Sequence, residues 1–108
     1  MKLITCDDVD YMIGENALDN WDIIKKSQND WVWFHLEKFP SGHVIICKSY
    51  DEITNEEIIK SSQLCIENSK YKFKNIGIVY CPISNLRFGD AVGSVFFISN
   101  RKVTKLKI

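Results

Sequence analysis

No run in the chain approaches the roughly 18 consecutive apolar residues of a membrane span, so no membrane partner is expected. The first residues, MKLITCDDVDYM, carry one Lys and then acids, with no apolar stretch between, which is not the pattern of a secretory signal peptide. The expected location is therefore a reducing compartment, the cytoplasm and also the nucleus. No CxxC pair occurs: Cys6, Cys47, Cys65 and Cys81 are widely spaced. They read as small core fillers with free thiols rather than a zinc knuckle or a disulfide framework. There is no low-complexity tract, internal repeat or linker, so residues 1–108 are expected to form a single domain with one core.

Net charge is also missing: 14 basic residues balance 14 acids. The distribution is uneven. Residues 1–69 hold six Lys against 13 acids, a balance of −7, and residues 70–108 hold six Lys, two Arg and one acid, Asp90, a balance of +7. A zero total would argue against a nucleic-acid partner, but a polar split does not. The basic half is positioned to form a phosphate-facing patch. The alternative is that the halves interleave in space and neutralise each other.

What is present predicts an α+β domain, a mostly antiparallel sheet with two helices packed on it. KLIT (2–5) and YMI (11–13) flank the acidic turn CDDVD as a small hairpin. Ala17, Leu18, Trp21 and Ile24 have helical spacing over 17–27. Residues 31–36 and 43–48 read as strands by their β-branched and aromatic content, with turn chemistry at Pro40-Ser41-Gly42, and this hairpin should be central. Thr54 to Glu57 is a capping box opening a helix over 55–69, with Ile58, Ser62, Cys65 and Ile66 on one face and Ile59 and Leu64 flanking it. IGIVY (76–80) reads as a buried strand ended by Pro82. VGSVFFIS (92–99) and KVTKLKI (102–108) read as a final hairpin turned at Asn100-Arg101.

In DWVWFHL, alternation puts Val32, Phe34 and Leu36 on one face and Trp31, Trp33 and His35 on the other. If open, the second face could stack unpaired bases. If the strand is covered on both sides, Trp33 is core and Trp31, at the strand end, is partly exposed. His35 and His43 flank the turn as cross-strand neighbours, about 5 Å apart at Cβ. They could bind a metal, but no third ligand has a convincing spacing, and none is expected. Ser41 lies near both, yet nothing resembles a nucleophile elbow or an oxyanion loop, and Gly14 has no phosphate-loop spacing. No catalytic residue and no cofactor are expected.

Three blocks resemble the NFACT-R family, the RNA-binding-type module of the NFACT proteins of ribosome quality control. The same fold occurs alone in small eukaryotic coiled-coil-containing proteins. Gly14-Glu15-Asn16-Ala17-Leu18-Asp19-Asn20 resembles the family's Gly-Arg-Asn…Asn start. Trp33-Phe34-His35 with Pro40-Ser41-Gly42-His43-Val44 resembles its Trp-Phe-His…Pro-Gly-Ser-His-Val centre. Val79-Tyr80-Cys81-Pro82-Ile83-Ser84-Asn85-Leu86 resembles the Val-Tyr-Thr-Pro…Ser-Asn-Leu block of the standalone branch. The blocks fit over about residues 10–108. Glu15 stands where the family has Arg, Trp31 where it has an acid, and the Gly-Ser order is reversed at Ser41-Gly42. Standalone relatives carry a charged coiled coil after the domain; with the chain ending at Ile108, no such tail or a shortened piece is expected.

The resemblance implies a non-enzymatic nucleic-acid-binding module linked to translation. The expected partner is RNA, either tRNA or ribosomal RNA, with DNA also open; the alternative is a module docking on a ribosomal or other protein. The expected nucleic-acid contacts are Arg87, Lys72, Lys74, Arg101, Lys102, Lys105 and Lys107. Arg87 is the sharpest, because a guanidinium can fork two donors onto one phosphate. Gly14, Asn16, Asn20, Trp33, Phe34, His35, Ser41, Gly42, His43, Ser84 and Asn85 carry the family signature, with structural or binding roles.

Overall fold

The computed structural model describes residues 1–108. The chain opens with β1 (Lys2–Cys6) and β2 (Val9–Ile13), paired antiparallel with Cys6 opposite Val9. That register leaves a two-residue turn at Asp7 and Asp8, both at positive φ (51° and 65°). This is the turn whose twist suits a hairpin, and short Asp side chains tolerate it. Next come α1 (Ala17–Lys26), β3 (Val32–Leu36), β4 (Val44–Ile46), α2 (Asn55–Glu67) and β5 (Gly77–Pro82). The chain ends with β6 (Leu86–Phe88), β7 (Val95–Phe97) and β8 (Thr104–Lys107). Six strands form one sheet in the order β1-β2-β4-β3-β5-β8, with every pair antiparallel, while β6 and β7 form a separate ribbon. The architecture is α+β, with the β3–β4 hairpin at the centre of the large sheet.

The sheet is covered on both faces. Val32, Phe34 and Leu36 point to one side, where Leu64 and Cys65 of α2 complete a cluster with Tyr11, Val44 and Ile78. Trp33 points to the other, where Ile23 and Ile24 of α1 meet Met12, Ile45, Val79 and Cys81. The apolar interior is therefore two clusters separated by the sheet, rather than the single core expected. Cys65 lies in one cluster and Cys81 in the other, and all four thiols are free.

Both helices differ in detail from the apolar spacing. In α1 Ala17 and Leu18 are exposed, Ile23 and Ile24 are buried, and Trp21 and Asp22 are half-buried, as are two polar residues, Asn20 and the C-cap Ser27. The expected apolar face is therefore right at Ile24 and Trp21 and wrong at Leu18. The polar pair is tolerated because Asn20 Oδ1 accepts the His43 N–H (3.1 Å) and Ser27 Oγ donates to Ile23 O (2.7 Å). In α2 the capping box is present, the buried residues are Ser61, Ser62, Leu64 and Cys65, and Ile59 faces out. Ser61 and Ser62 return their hydroxyls to the carbonyls of Glu57 and Ile58, both at 2.8 Å.

The expected final hairpin does not form. β7 pairs with β6, a short strand the sequence reading did not contain, and β8 crosses to the edge of the large sheet beside β5. The separation is made at Asn85, which is buried. Its side chain donates to Ser99 O and accepts the Ser99 N–H, both at 2.9 Å, and its carbonyl accepts the Ile98 N–H at 2.8 Å. A 3₁₀ turn over Asn100–Lys102 then redirects the chain. β8 joins the large sheet with Leu106 opposite Ile78, and Ile76 and Ile108 exchange backbone bonds at 3.1 and 3.0 Å. The packed Leu106 and Ile108 reward that pairing with burial, which a hairpin with β7 would not.

Candidate nucleic-acid interface

Most of the signature residues build the scaffold. Phe34 and Trp33 are buried on opposite faces of β3. Asn16 caps α1, its side chain accepting the Asp19 N–H at 2.9 Å. Gly14 donates its N–H to His43 O (2.9 Å), and a Cβ on Gly14 would fall 1.9 Å from Asn20 Oδ1. A Cβ on Gly42 would fall 2.5 Å from the Gly14 carbonyl oxygen. Two glycines thus let the start of α1 and the turn before β4 close on each other, a close approach that no side chain permits. The Leu36 N–H donates to Ser41 Oγ (3.3 Å), and Ser84, though exposed, gives its N–H to Asn29 O (2.9 Å).

His35 and His43 are cross-strand neighbours as expected, their rings 5.2 Å apart and edge-on. Trp33 lies parallel to His35 at 5.6 Å and edge-on to His43 at 5.3 Å. His35 Nδ1 sits 2.6 Å from Leu36 O and donates to it. Burial pushes the His35 imidazole below its ordinary range, and burial, then the neighbouring His35, pushes His43 down to about 3. Both rings are therefore neutral near pH 7. No third His, Cys, Asp or Glu joins them. They line the inner wall of an open cleft of about 790 Å³, with Gly14, Asn16, Asn20, Ser41 and Gly42. The rim holds Lys2 and Lys70 but also Glu15.

The seven expected phosphate contacts are all exposed, but the fold divides them. Lys72 and Lys74 lie in the loop entering β5, at the end of the sheet where Gly77 is opposite Lys107. Arg101 and Lys102 form the 3₁₀ turn before β8. Lys105 is the one member in an ion pair, 3.0 Å from Glu37. The hydrogen bond from Lys105, with Lys38 and Lys107 further off, holds the Glu37 carboxyl below the usual carboxylate range. The two halves therefore interleave at this edge, where the Lys105 ammonium is already paired with an acid. Arg87 stands apart on the ribbon.

Around Arg87 the structure adds what the sequence reading did not name. A second cleft, of about 400 Å³, separates the C-terminal half of α1 from β6 and is lined by Lys25, Asn29, Ser84, Arg87 and Phe88 among others. Lys25 Nζ lies 5.7 Å from the centre of the Phe88 ring. Phe88 is 45% exposed, and its ring is 5.2 Å from that of Trp21. Lys25 belongs to the acidic half of the chain, so no run of charge marks it; only the packing of α1 beside the ribbon brings it to Arg87.

Residues 2–98 match the family described as NFACT protein RNA binding domain. The chain belongs to this family. It is 37% identical to coiled-coil domain-containing protein 25 of Danio rerio over 81 residues, 69% of this chain and 39% of that protein. It is 33% identical to Protein JLP2 of Saccharomyces cerevisiae over 107 residues, 89% of this chain and 51% of that protein. The chain thus spans about half or less of the length of these curated relatives. Among solved structures it is similar to the C-terminal part of the fibronectin/fibrinogen-binding protein from Streptococcus suis, with a TM-score of 0.88 and 19% identity. That match covers 99% of this chain and 44% of the other, and it shows that the two share a fold.

Proposed function

We propose that this NFACT-R domain binds RNA, tRNA or ribosomal RNA, without catalysis, as a module of the translation and ribosome quality-control machinery in the cytoplasm. The membership of residues 2–98 in an RNA-binding domain family carries this reading. Its contacts are phosphate contacts from exposed cations, Arg87 first, then Arg101, Lys102, Lys107, Lys72 and Lys74. Lys105 contributes less because Glu37 already neutralises it. Glu15, at the rim of the larger cleft, repels phosphate and offsets part of the attraction from Lys2 and Lys70. Binding is weak and not base-specific, since no array of side chains is set to read base edges. A second reading, docking on a protein partner, is favoured by the outer face of the ribbon, where Phe96 and Ile98 are each 57% exposed.

The test compares RNA titrations of the native chain, Arg87→Ala and a Lys102/Lys105/Lys107 triple alanine. Each lost phosphate contact lowers the slope of log affinity against log salt by roughly one unit. Arg87→Ala is expected to lower it by about one. The triple variant is expected to lower it by about two rather than three, because Lys105 is held by Glu37. Equal affinities and slopes for all three proteins would remove the basic half from the interface.

A further inference from the structure

The cleft beside Arg87 differs from the two clefts that Glu15 and Glu37 line. Lys25 and Arg87 are the charged residues lining it, and no acid does. At the end of α1, Ser27 donates to Ile23 O through its hydroxyl (2.7 Å) and to Ile24 O through its N–H (3.1 Å), which gives partners to two of the last carbonyls of the helix. Asn29 and Ser84 also line the cleft, and their side chains make no hydrogen bond within the protein. Phe88 is close to half exposed, its ring set at 60° to that of Trp21. The walls are fixed: Ile83 donates its N–H to Trp31 O (2.8 Å), Ser84 to Asn29 O (2.9 Å) and Gly89 to Ser94 O (2.8 Å). The volume, about 400 Å³, falls in the range of small-molecule clefts, roughly 300–1,000 Å³.

We propose that this cleft takes one unpaired nucleotide, its phosphate between Lys25 and Arg87 and its base against Phe88. The proposal rests on the RNA-binding reading and narrows it to single-stranded segments, loops or ends. The physical reason is access. Inside a duplex each base is stacked on both sides and has no free face for Phe88, whereas a splayed base offers one to an aromatic ring. Two cations around one phosphate supply the attraction, and the arginine adds a bidentate fork. Any base can stack in this way, so the site selects unpaired strand without selecting sequence.

The experiment uses three fluorescent probes with equal numbers of phosphates: an unstructured mixed-sequence RNA strand, an abasic ribose-phosphate strand and a blunt RNA duplex. The native chain is expected to bind the base-bearing strand roughly ten-fold or more tighter than the abasic strand, as one stacked base predicts. Phe88→Ala is expected to remove that preference and leave the salt slope unchanged. Lys25→Ala and Arg87→Ala are each expected to lower the slope by about 0.7 on single strands. Equal binding of the native chain to base-bearing and abasic strands overturns the nucleotide cleft alone, and needs no variant. A preference that survives Phe88→Ala overturns it too. Failure of all three probes to bind at low salt overturns the RNA-binding reading beneath it.

Discussion

Trp33→Ala is expected to lower the unfolding free energy by about 3–5 kcal/mol, the cost of truncating a large buried aromatic. Trp33 is 2% exposed in the middle of the central hairpin. Its ring touches His35 and His43 at 5.6 and 5.3 Å and Phe97 of the ribbon at 5.7 Å. Removing it opens a void between the sheet and the ribbon that rigid neighbours cannot fill. Trp33→Phe is the informative companion. It keeps most of the contact area and deletes an indole N–H that has no partner in the fold, so its cost should stay below about 1.5 kcal/mol. Urea unfolding midpoints at constant slope measure both. A loss under about 1 kcal/mol for Trp33→Ala would make Trp33 a surface residue and restore the stacking platform on β3.

Acidification from about pH 7 to about pH 5 is expected to destabilise the domain by about 2 kcal/mol through His43, with His35 adding in the same direction. In the unfolded chain an imidazole binds its proton near pH 6.5, whereas burial and His35 push folded His43 down to about 3. Between those values the unfolded state holds the extra proton. Stability is thus full above about pH 6.5 and falls as pH drops, by about 1.4 kcal/mol per unit for each such group. The carboxylates act elsewhere. Despite desolvation, the Glu15 N–H on Asp19 and the Lys48 ammonium on Glu57 hold both carboxyls below their ordinary range, so their stability is lost only below about pH 4.5. Unfolding free energies at the two pH values, for the native chain and His43→Gln, isolate the effect. The variant should lose about 2 kcal/mol less than the native chain on acidification. Equal losses would show that His43 titrates normally.

The legible parts of the fold were those where local chemistry and burial agree. Val32, Phe34 and Leu36 alternate cleanly, Thr54 and Glu57 cap reciprocally, and the Asp7-Asp8 turn joins two alternating strands. The misread parts were decided by distant partners. β6 is three residues long and carries Arg87, so its strand character comes from pairing with β7 rather than from its own pattern. β8 leaves β7 because Asn85 grips Ser99 and because β5 has an open edge, and neither fact is local to KVTKLKI. The inward side of α1 was partly obscured by Asn20 and, at the C-cap, Ser27, half-buried polar residues whose hydrogen bonds make that burial tolerable.

The candidate interface divides in the same way. Arg87 and the lysines of the C-terminal half stand out in the sequence by charge alone. That Glu37 occupies Lys105, and that Lys25 and Phe88 share a cleft with Arg87, are consequences of topology. The charge split of the sequence therefore shows neither the pairing of Lys105 with Glu37 nor the grouping of Lys25, Arg87 and Phe88 around one cleft.

The most direct test of RNA binding through phosphate contacts is the affinity of the native chain for RNA across a salt series. A straight decline of log affinity with log salt is expected, with a slope of several units that matches the number of cations engaged. Binding that holds its strength as salt rises, or no binding at low salt, would contradict it and put the protein-docking face of Phe96 and Ile98 in its place.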